Sequence, residues 1–526
     1  MPFLALPSAC PLNSINIWDQ CSIPNGFQCG FYKFEPMQKH GTHKKTTKHW
    51  NLSISAVATA LKSIEIRDAS DHTSAQSLKP PPEVLANDRL MVCGGAALSG
   101  HVNISGAKNS ALAVLAGSLC SNGVSAFNMI PDLHDTRMMM QVLRSIGVEV
   151  HRSGSEVVVN PDCIRCAEPC SEAVRKLRAS FFVIGPLLAR HGEAHVALPG
   201  GYNIGARPID LHLRGLQALG AHVEIRKGKV HAYAANGRRL VGGTFYLDYP
   251  SVGATETLMM AASLADGETI LSNVAQEPEV VDLAEYLIAC GACIDGAGTS
   301  TLVIKGMKKL HGANFTIIPD RIEAGTFFIA AAMTRSSISM SPVVPKHLTS
   351  LISKLEYIGC RIQPTGPDGL RIFPSECLRG VDMTTLPYPG FPTDLQPQLM
   401  TLLTTCTGQS VVEETVFEWR MSHVEELQKL GAKIRVSKNI AIVNGKDEGS
   451  SLYGVPVEAT DLRAGAALIL AGMAADGTTQ IDGVNHIDRG YENIDVKLFS
   501  LGAKIERLPC LPSDLSLHLR FELGVL

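Results

Sequence analysis

Short polar segments bearing charge and glycine recur along this 526-residue chain, each just ahead of a run of small apolar residues. The first is SGAKNSA, with Lys108 and Asn109. The second joins Arg178, in KLRASFF, to a downstream loop PGGYNIGARPIDL that carries Arg207, Pro208, Ile209, Asp210 and Leu211. YPSVGATET (Ser251, Val252, Gly253), PDRIEAGTF (Arg321), FPTDLQPQ (Asp394) and ATDLRAGAA (Asp461, Arg463) follow. Arg420 lies in FEWRMSH and Arg489 in HIDRGYEN. Ser, Thr and Asp at a helix start have an ordinary explanation, because they cap it. Arginine there opposes the positive end of the helix dipole, and is disfavoured unless an anion joins it. Free helix N–H groups already favour phosphate, and a guanidinium adds two-pronged binding of phosphate or carboxylate. If these helix starts meet at one cleft, they form an anion site. Asp394 and Asp461 would stay ionised there, available as a base or an orienting group.

An internal repeat spaces these segments. VLRSIGVEV, LQALGAHVEI, LIACGACID, LEYIGCRIQ, LQKLGAKIR and LFSLGAKIE share one pattern, with glycines at 147, 220, 291, 359, 431 and 502. Each predicts an amphipathic helix that ends at a left-handed glycine and passes into a strand of alternating polarity. Upstream in each unit a second helix is rich in Ala, Leu and Gly on nearly all sides, as in SALAVLAGSL and ALILAGMAA, and is expected to be buried. Six units of this length exceed the period of about 20–50 residues typical of solenoids. A compact α/β fold is expected, grouped three and three into two domains with a cleft between them.

Composition narrows the function. The chain has 47 Lys+Arg against 50 Asp+Glu, a net charge of −3, with 45% hydrophobic and 18% charged residues. A broad basic surface is excluded, so nucleic acid is not an expected partner. The longest uncharged small and apolar stretch, Ala464–Ala475, falls short of the ~18–20 residues of a membrane helix, so no span is expected. Fourteen scattered cysteines read as reduced thiols. The clusters Cys163, Cys166, Cys170 and Cys290, Cys293 lack the paired knuckle of a zinc site, and no metal is expected. Through Ser63 the only acids are Asp19 and Glu35, while Ser, Thr, His and Asn are frequent. Residues 1–87 therefore resemble an organelle transit peptide, with Lys79-Pro80-Pro81-Pro82 as a stiff linker. Pro509 and Pro512 put the tail outside the fold.

SGAKNSA, LRAS, PGG-x-x-IGARP-x-DL, SVGAT, EPEVVD, PDRIEAGTF, FPTDLQ, TVFE-x-R, ATDLRA and HIDRGYE together resemble the UDP-N-acetylglucosamine 1-carboxyvinyltransferase family, in order from about Leu90 to Arg507. The resemblance implies an inside-out α/β barrel of two domains, each of three units. The chain would start in one domain (88–107 plus 319–508), build the other (108–318) and return, leaving a leader (1–87) and a tail (509–526) outside. It implies transfer of the enolpyruvyl group of phosphoenolpyruvate to the 3′-hydroxyl of UDP-N-acetylglucosamine with release of phosphate. That is the first committed step of peptidoglycan precursor synthesis, and it needs no metal or organic cofactor. Matched by motif, Lys108, Arg207 and Arg489 would bind phosphoenolpyruvate, with Arg463 beside them. Asn109, Arg178, Arg207, Pro208, Ile209, Asp210, Leu211, Ser251, Val252, Gly253 and Val416 would line the nucleotide-sugar site. Arg321, Arg420 and Asp461 complete the expected binding set, and Asp394 would be the base at the sugar hydroxyl.

Four positions depart from the family pattern. Tyr202 stands where the PGG loop carries a cysteine, or in some members an aspartate, as proton donor. A phenol of reference pKa ~10 is a weaker acid than a thiol at ~8.5. Either neighbouring arginines make Tyr202 a donor, or it is a loop aromatic without a proton-transfer role. Tyr249 and His134 replace lysines, and Trp419 replaces a small polar residue. Two other functions fit the same residues: a non-catalytic homologue that binds ligand or protein, and the sister 3-phosphoshikimate 1-carboxyvinyltransferase, which SGAKNSA and PGG-x-x-IGARP fit less well. A wall-precursor enzyme behind such a leader implies a plastid location; a leader that is only an unstructured extension without address function would leave the chain in the cytoplasm.

Overall fold

A computed structural model describes residues 88–509, apart from 202–203, 205–207, 236–238, 375 and 447–450. The leader, residues 510–526 of the tail, Tyr202 and Arg207 thus lie outside the described residues. All six repeat glycines have positive φ, from 79° at Gly220 to 121° at Gly359, a region costly for a side chain. They close the six amphipathic helices His134–Ser145, Asp210–Ala218, Pro278–Ala289, Thr349–Ile358, His423–Lys429 and Ile494–Ser500. The small-residue runs form Lys108–Gly117, Ile184–His191, Val252–Ala262, Arg321–Met333, Gln396–Leu403 and Leu462–Ala474. These are the interior of the molecule. Every residue of Arg321–Met333 is buried, and a Cβ on Gly325 would come within 2.6 Å of Leu395. Small side chains are what let such helices pack this closely.

Each unit adds a sheet of one plan. In the third, Thr244–Tyr246 runs parallel to Glu268–Ser272, which pairs antiparallel with Thr301–Lys305, and that strand with Cys293–Asp295. Among the described residues five sheets have four strands in this arrangement, and the second unit has three: Glu193–Ala197, Lys229–Ala234 and Ala221–Arg226. Three units borrow a strand from elsewhere in the chain. Arg89–Cys93 fills the gap between Thr478–Asp482 and Lys504–Leu508 in the sixth. Ser99–Asn103 edges the fourth beside Ser337–Ser341, and Asn314–Thr316 edges the first beside Ser125–Asn128.

Two hydrophobic cores result. One spans Ala111 to Ile317, and the other joins Leu90–Ile104 to Ile322–Ile505. The chain passes between them twice, side by side, where Ala107 N donates to Ile318 O and Asp320 N to Ser105 O, each at 2.8 Å.

Candidate active site

Helix starts from both cores surround a cavity of about 640 Å³, within the usual range for small-molecule sites. Its lining includes Lys108, Asn109, Arg178, Pro208, Ile209, Leu211, Ser251, Val252, Gly253, Arg321, Asp394, Val416, Arg420, Asp461 and Arg489. Two sequence-predicted residues fall elsewhere. Asp210 opens its helix at the surface, 3.7 Å from Arg214, and is not part of the lining. Arg463 lies behind the wall, 1% exposed, and reaches the cavity through Asp394.

Asp394 is the centre of the cationic end. Its Oδ1 is 2.8 Å from Arg420 Nη1 and its Oδ2 3.1 Å from Arg463 Nη2. Burial alone would raise its pKa, but Arg463, Arg420 and Lys108 outweigh burial and hold the carboxyl far below the usual carboxylate range. Arg420 also donates to Thr393 Oγ1 at 3.0 Å. Arg420 Nε and Arg463 Nε and Nη1 find no hydrogen-bond partner among the described residues. Buried donors left in this state favour an incoming acceptor.

Lys108, the first residue of its helix, is 3.4 Å from Asp135 Oδ2, while Arg489 Nε is 2.8 Å from Asp135 Oδ1. Burial lowers the Lys108 pKa, Asp135 pulls it back, and Arg463 lowers it further. Arg489 also donates to Lys176 O at 3.3 Å, just ahead of Arg178. Arg178 in turn donates to Pro208 O at 3.4 Å, which ties the start of its 3₁₀ turn to the PGG loop.

Around Arg321 the charge reverses. Arg321 is bound in two-pronged fashion by Glu279, at 3.0 and 3.2 Å, and stacks 5.7 Å from the Tyr388 ring. Glu277 Oε1 accepts from Tyr388 N at 3.3 Å. Glu256 is 1% exposed, and neither its Oε2 nor that of Glu277 has a partner among the described residues. Burial, then Glu279 and Glu277, push the Glu256 carboxyl well above the usual range, and burial likewise pushes Glu277 up. Asp461 proves to be a cap: its Oδ1 accepts from Arg463 N at 2.8 Å and Ala464 N at 3.0 Å. Ser251 caps its helix too, accepting from Ala254 N at 3.3 Å.

The departures are placed unequally. Tyr249 lines the cavity, its phenol pushed up by burial and by Glu277 and Glu414, so it supplies no charge. His134 is lowered by burial and is neutral at neutral pH, so it does not restore the lysine's charge. Trp419 is exposed, but its N donates to Ile204 O at 3.2 Å, joining its loop to the PGG loop. Asp135, Glu256, Glu277, Glu279 and Tyr388 escaped the sequence reading. EPEVVD carries two of them, yet only packing shows that Arg321 meets Glu279. Asp135 meets Arg489 across 354 residues of sequence, which no spacing rule detects. Among the described residues no three His, Cys, Asp or Glu are arranged to hold a metal, and Cys163, Cys166, Cys170 and Cys293 are exposed thiols. No described helix is long and apolar enough to cross a membrane.

Residues 92–498 match the family model for EPSP synthase (3-phosphoshikimate 1-carboxyvinyltransferase). The UDP-N-acetylglucosamine 1-carboxyvinyltransferase of Nostoc sp. is 55% identical over 420 residues, 80% of this chain and 93% of that protein. That of Gloeobacter violaceus is 52% identical over 435 residues, 82% of this chain and 94% of its own length. The chain belongs to the UDP-N-acetylglucosamine 1-carboxyvinyltransferase family. Solved enolpyruvyl transferases share the architecture of this carboxyvinyltransferase. The enolpyruvyl transferase NikO from Streptomyces tendae superposes with a TM-score of 0.73 at 27% identity, covering 81% of this chain and all of that one. An EPSP synthase from Acinetobacter baumannii, at 19% identity and a TM-score of 0.64 over 80% of this chain, shares the fold.

Proposed function

We propose that this carboxyvinyltransferase moves the enolpyruvyl group of phosphoenolpyruvate onto the 3′-hydroxyl of UDP-N-acetylglucosamine and releases phosphate, feeding peptidoglycan synthesis. The observation that carries it is Asp394, an ionised carboxylate clamped by Arg420 and Arg463 in a cavity whose other cations are Lys108 and Arg489. Lys108 and Arg489, with Arg207 by resemblance, hold the phosphate and carboxylate of phosphoenolpyruvate. The sugar 3′-oxygen adds to C2, its proton passing to Asp394, while C3 gains a proton from the PGG loop at Tyr202. Return of a C3 proton to that loop group then expels phosphate, which takes up the proton held by Asp394, and leaves the enol ether. Clustered cations stabilise charge as it develops on the leaving phosphate. Clamped as it is, Asp394 is a weak base. A dianion drawing Arg463 and Arg420 toward itself strengthens it when substrate is present. Asn109, Arg178, Pro208, Ile209, Leu211, Ser251, Val252, Gly253 and Val416 line the nucleotide-sugar end, and the two three-unit domains (88–107 plus 319–508, and 108–318) close on it.

A phosphate-release assay on the chain from about Val84 tests this. Release must require both substrates, and Tyr202→Cys must accelerate it, because the thiol is the stronger acid. No release above background with both substrates present overturns the proposal. We also propose that residues 1–87 direct the chain to a plastid, on their acid-poor, hydroxyl-rich composition. A fluorescent reporter fused to them that stays in the cytosol refutes this.

A further inference from the structure

Asp135 lies outside every residue assigned a role above, yet both phosphate-facing cations converge on it. It is the second residue of helix His134–Ser145 and is 4% exposed. Lys108 approaches one carboxylate oxygen at 3.4 Å and Arg489 the other at 2.8 Å. Lys108 opens a helix of the first core, whereas Arg489 follows the short helix Val484–Ile487 of the second. One buried carboxylate therefore bridges two cations held by different halves of the molecule. Without it, Lys108 and Arg489 would lose the carboxylate they share, Lys108 at 3.4 Å and Arg489 at 2.8 Å. The other groups near Lys108 are Arg463 and Asp394, together with Asp320, which accepts from Lys108 N at 3.2 Å. His134 beside Asp135 is neutral, and Arg137 on the same helix is taken up by Asp132 at 2.6 Å.

We propose that Asp135 is a built-in counter-anion and positioning residue: it holds Lys108 and Arg489 in place and yields part of both contacts to an incoming dianion. The proposal rests on the anion-binding reading of the cavity. Two consequences oppose each other, which makes them diagnostic. Asp135 competes with phosphate for the two cations, so its charge weakens equilibrium binding of an anion. It also fixes the geometry in which those cations act, so its loss slows turnover. Its charge opposes deprotonation of Lys108, since it is the largest influence countering burial there.

Asp135→Asn keeps the shape and removes the charge. Titration calorimetry with inorganic phosphate on the full chain, from about pH 6 to about pH 10, reads the first consequence without any need for turnover. Phosphate affinity should rise about three- to fivefold. The alkaline limb of binding should move to lower pH, because Lys108 loses its charge more readily. In steady state kcat should fall about tenfold or more, with KM for phosphoenolpyruvate unchanged or lower. Asp135→Glu, which retains the charge, should return the alkaline limb to its original position. Thermal melts of both variants show that they are folded. An unchanged or weaker phosphate affinity in Asp135→Asn, or an alkaline limb that does not move, overturns the proposal. A purely structural role predicts both of those outcomes. Failure of the unsubstituted chain to turn over its two substrates would instead strike the proposed function, and leaves the phosphate titration decisive for Asp135.

Discussion

Arg321 and Arg463 occupy the same local setting. Each lies within the first two residues of a buried thirteen-residue helix, and each helix is capped by an aspartate, Asp320 or Asp461. Their surroundings differ. Both oxygens of Glu279 saturate one edge of the Arg321 guanidinium. Arg463 gives one nitrogen to Asp394, shares that carboxylate with Arg420, and keeps two donor atoms without a partner among the described residues. Lys108, Arg420, Arg463 and Arg489 thus gather around Asp394 and Asp135. Arg321 instead feels Glu279 first, then Glu277 and Asp394, while Glu279 and Glu277 also act on Glu256. A helix-start arginine announces a buried anion, but that anion is either a carboxylate of the chain or a ligand the chain awaits. Only the second kind makes an active site.

The sharpest way to break this contrast is to replace each arginine by lysine. Arg463→Lys keeps charge but loses the planar fork, and kcat/KM for phosphoenolpyruvate should fall about 10²–10³-fold. Arg321→Lys should leave kcat/KM within about tenfold of the parent. Equal losses in a steady-state assay would show that the two arginines share one role. Stability should separate them the other way. Arg321→Met strands Glu279 in the interior and should cost about 3–5 kcal/mol by denaturant unfolding. Adding Glu279→Gln to it should recover most of that loss, because the buried charge is then gone. A double variant no more stable than the single would mean that Glu279 is held by something other than Arg321.

How much of this was legible in the sequence follows from the range of each force. The repeat glycines were legible because a left-handed turn is a local demand. The buried helices were too, since close packing requires small residues on all sides. The exchange of Arg89–Cys93, Ser99–Asn103 and Asn314–Thr316 into distant sheets is a matter of topology, and left no local trace. Charge pairing was least legible of all. Asp461 lines the cavity, yet its Oδ1 also caps its own helix, and Asp210 is exposed while Leu211 from the same motif lines the cavity. Tyr249 and Trp419 stand out against the family pattern, but only the fold puts the first in the cavity wall and the second on the PGG loop.

A smaller effect tests the packing behind the acidic end. Asp282 is buried, accepts from Ile318 N at 3.2 Å and from the Ser110 hydroxyl, and burial pushes its pKa up to about 7. The folded state therefore binds this proton more tightly than the unfolded chain does. Stability is full below the ordinary aspartate range and falls as pH rises toward about 7, by on the order of 4 kcal/mol. Asp282→Asn should flatten that slope in urea titrations at about pH 5 and about pH 8. A parallel slope in the variant would remove Asp282 as its cause.

The smallest expected change is at Glu256, and it bears on why the two ends differ. Glu279 is engaged by Arg321, and Glu277 and Glu256 share no second cation among the described residues. Burial, then Glu279 and Glu277, favour the protonated Glu256 carboxyl, of which Gln is nearly the isostere in charge as well as shape. Glu256→Gln should therefore leave phosphate release nearly unchanged and, at about pH 4 where Glu is protonated folded and unfolded alike, shift stability by less than about 1 kcal/mol. The difference grows as pH rises. A raised pKa means that the parent loses stability as pH climbs past the glutamate range toward its folded value, while the variant, with nothing to titrate, does not. Melting curves of the two proteins should thus separate progressively as pH rises above about 4, with the variant the more stable. If Glu256→Gln instead cost several kcal/mol at neutral pH, the carboxyl would have to be ionised and paired, and the acidic end would be a second clamp like the one around Asp394.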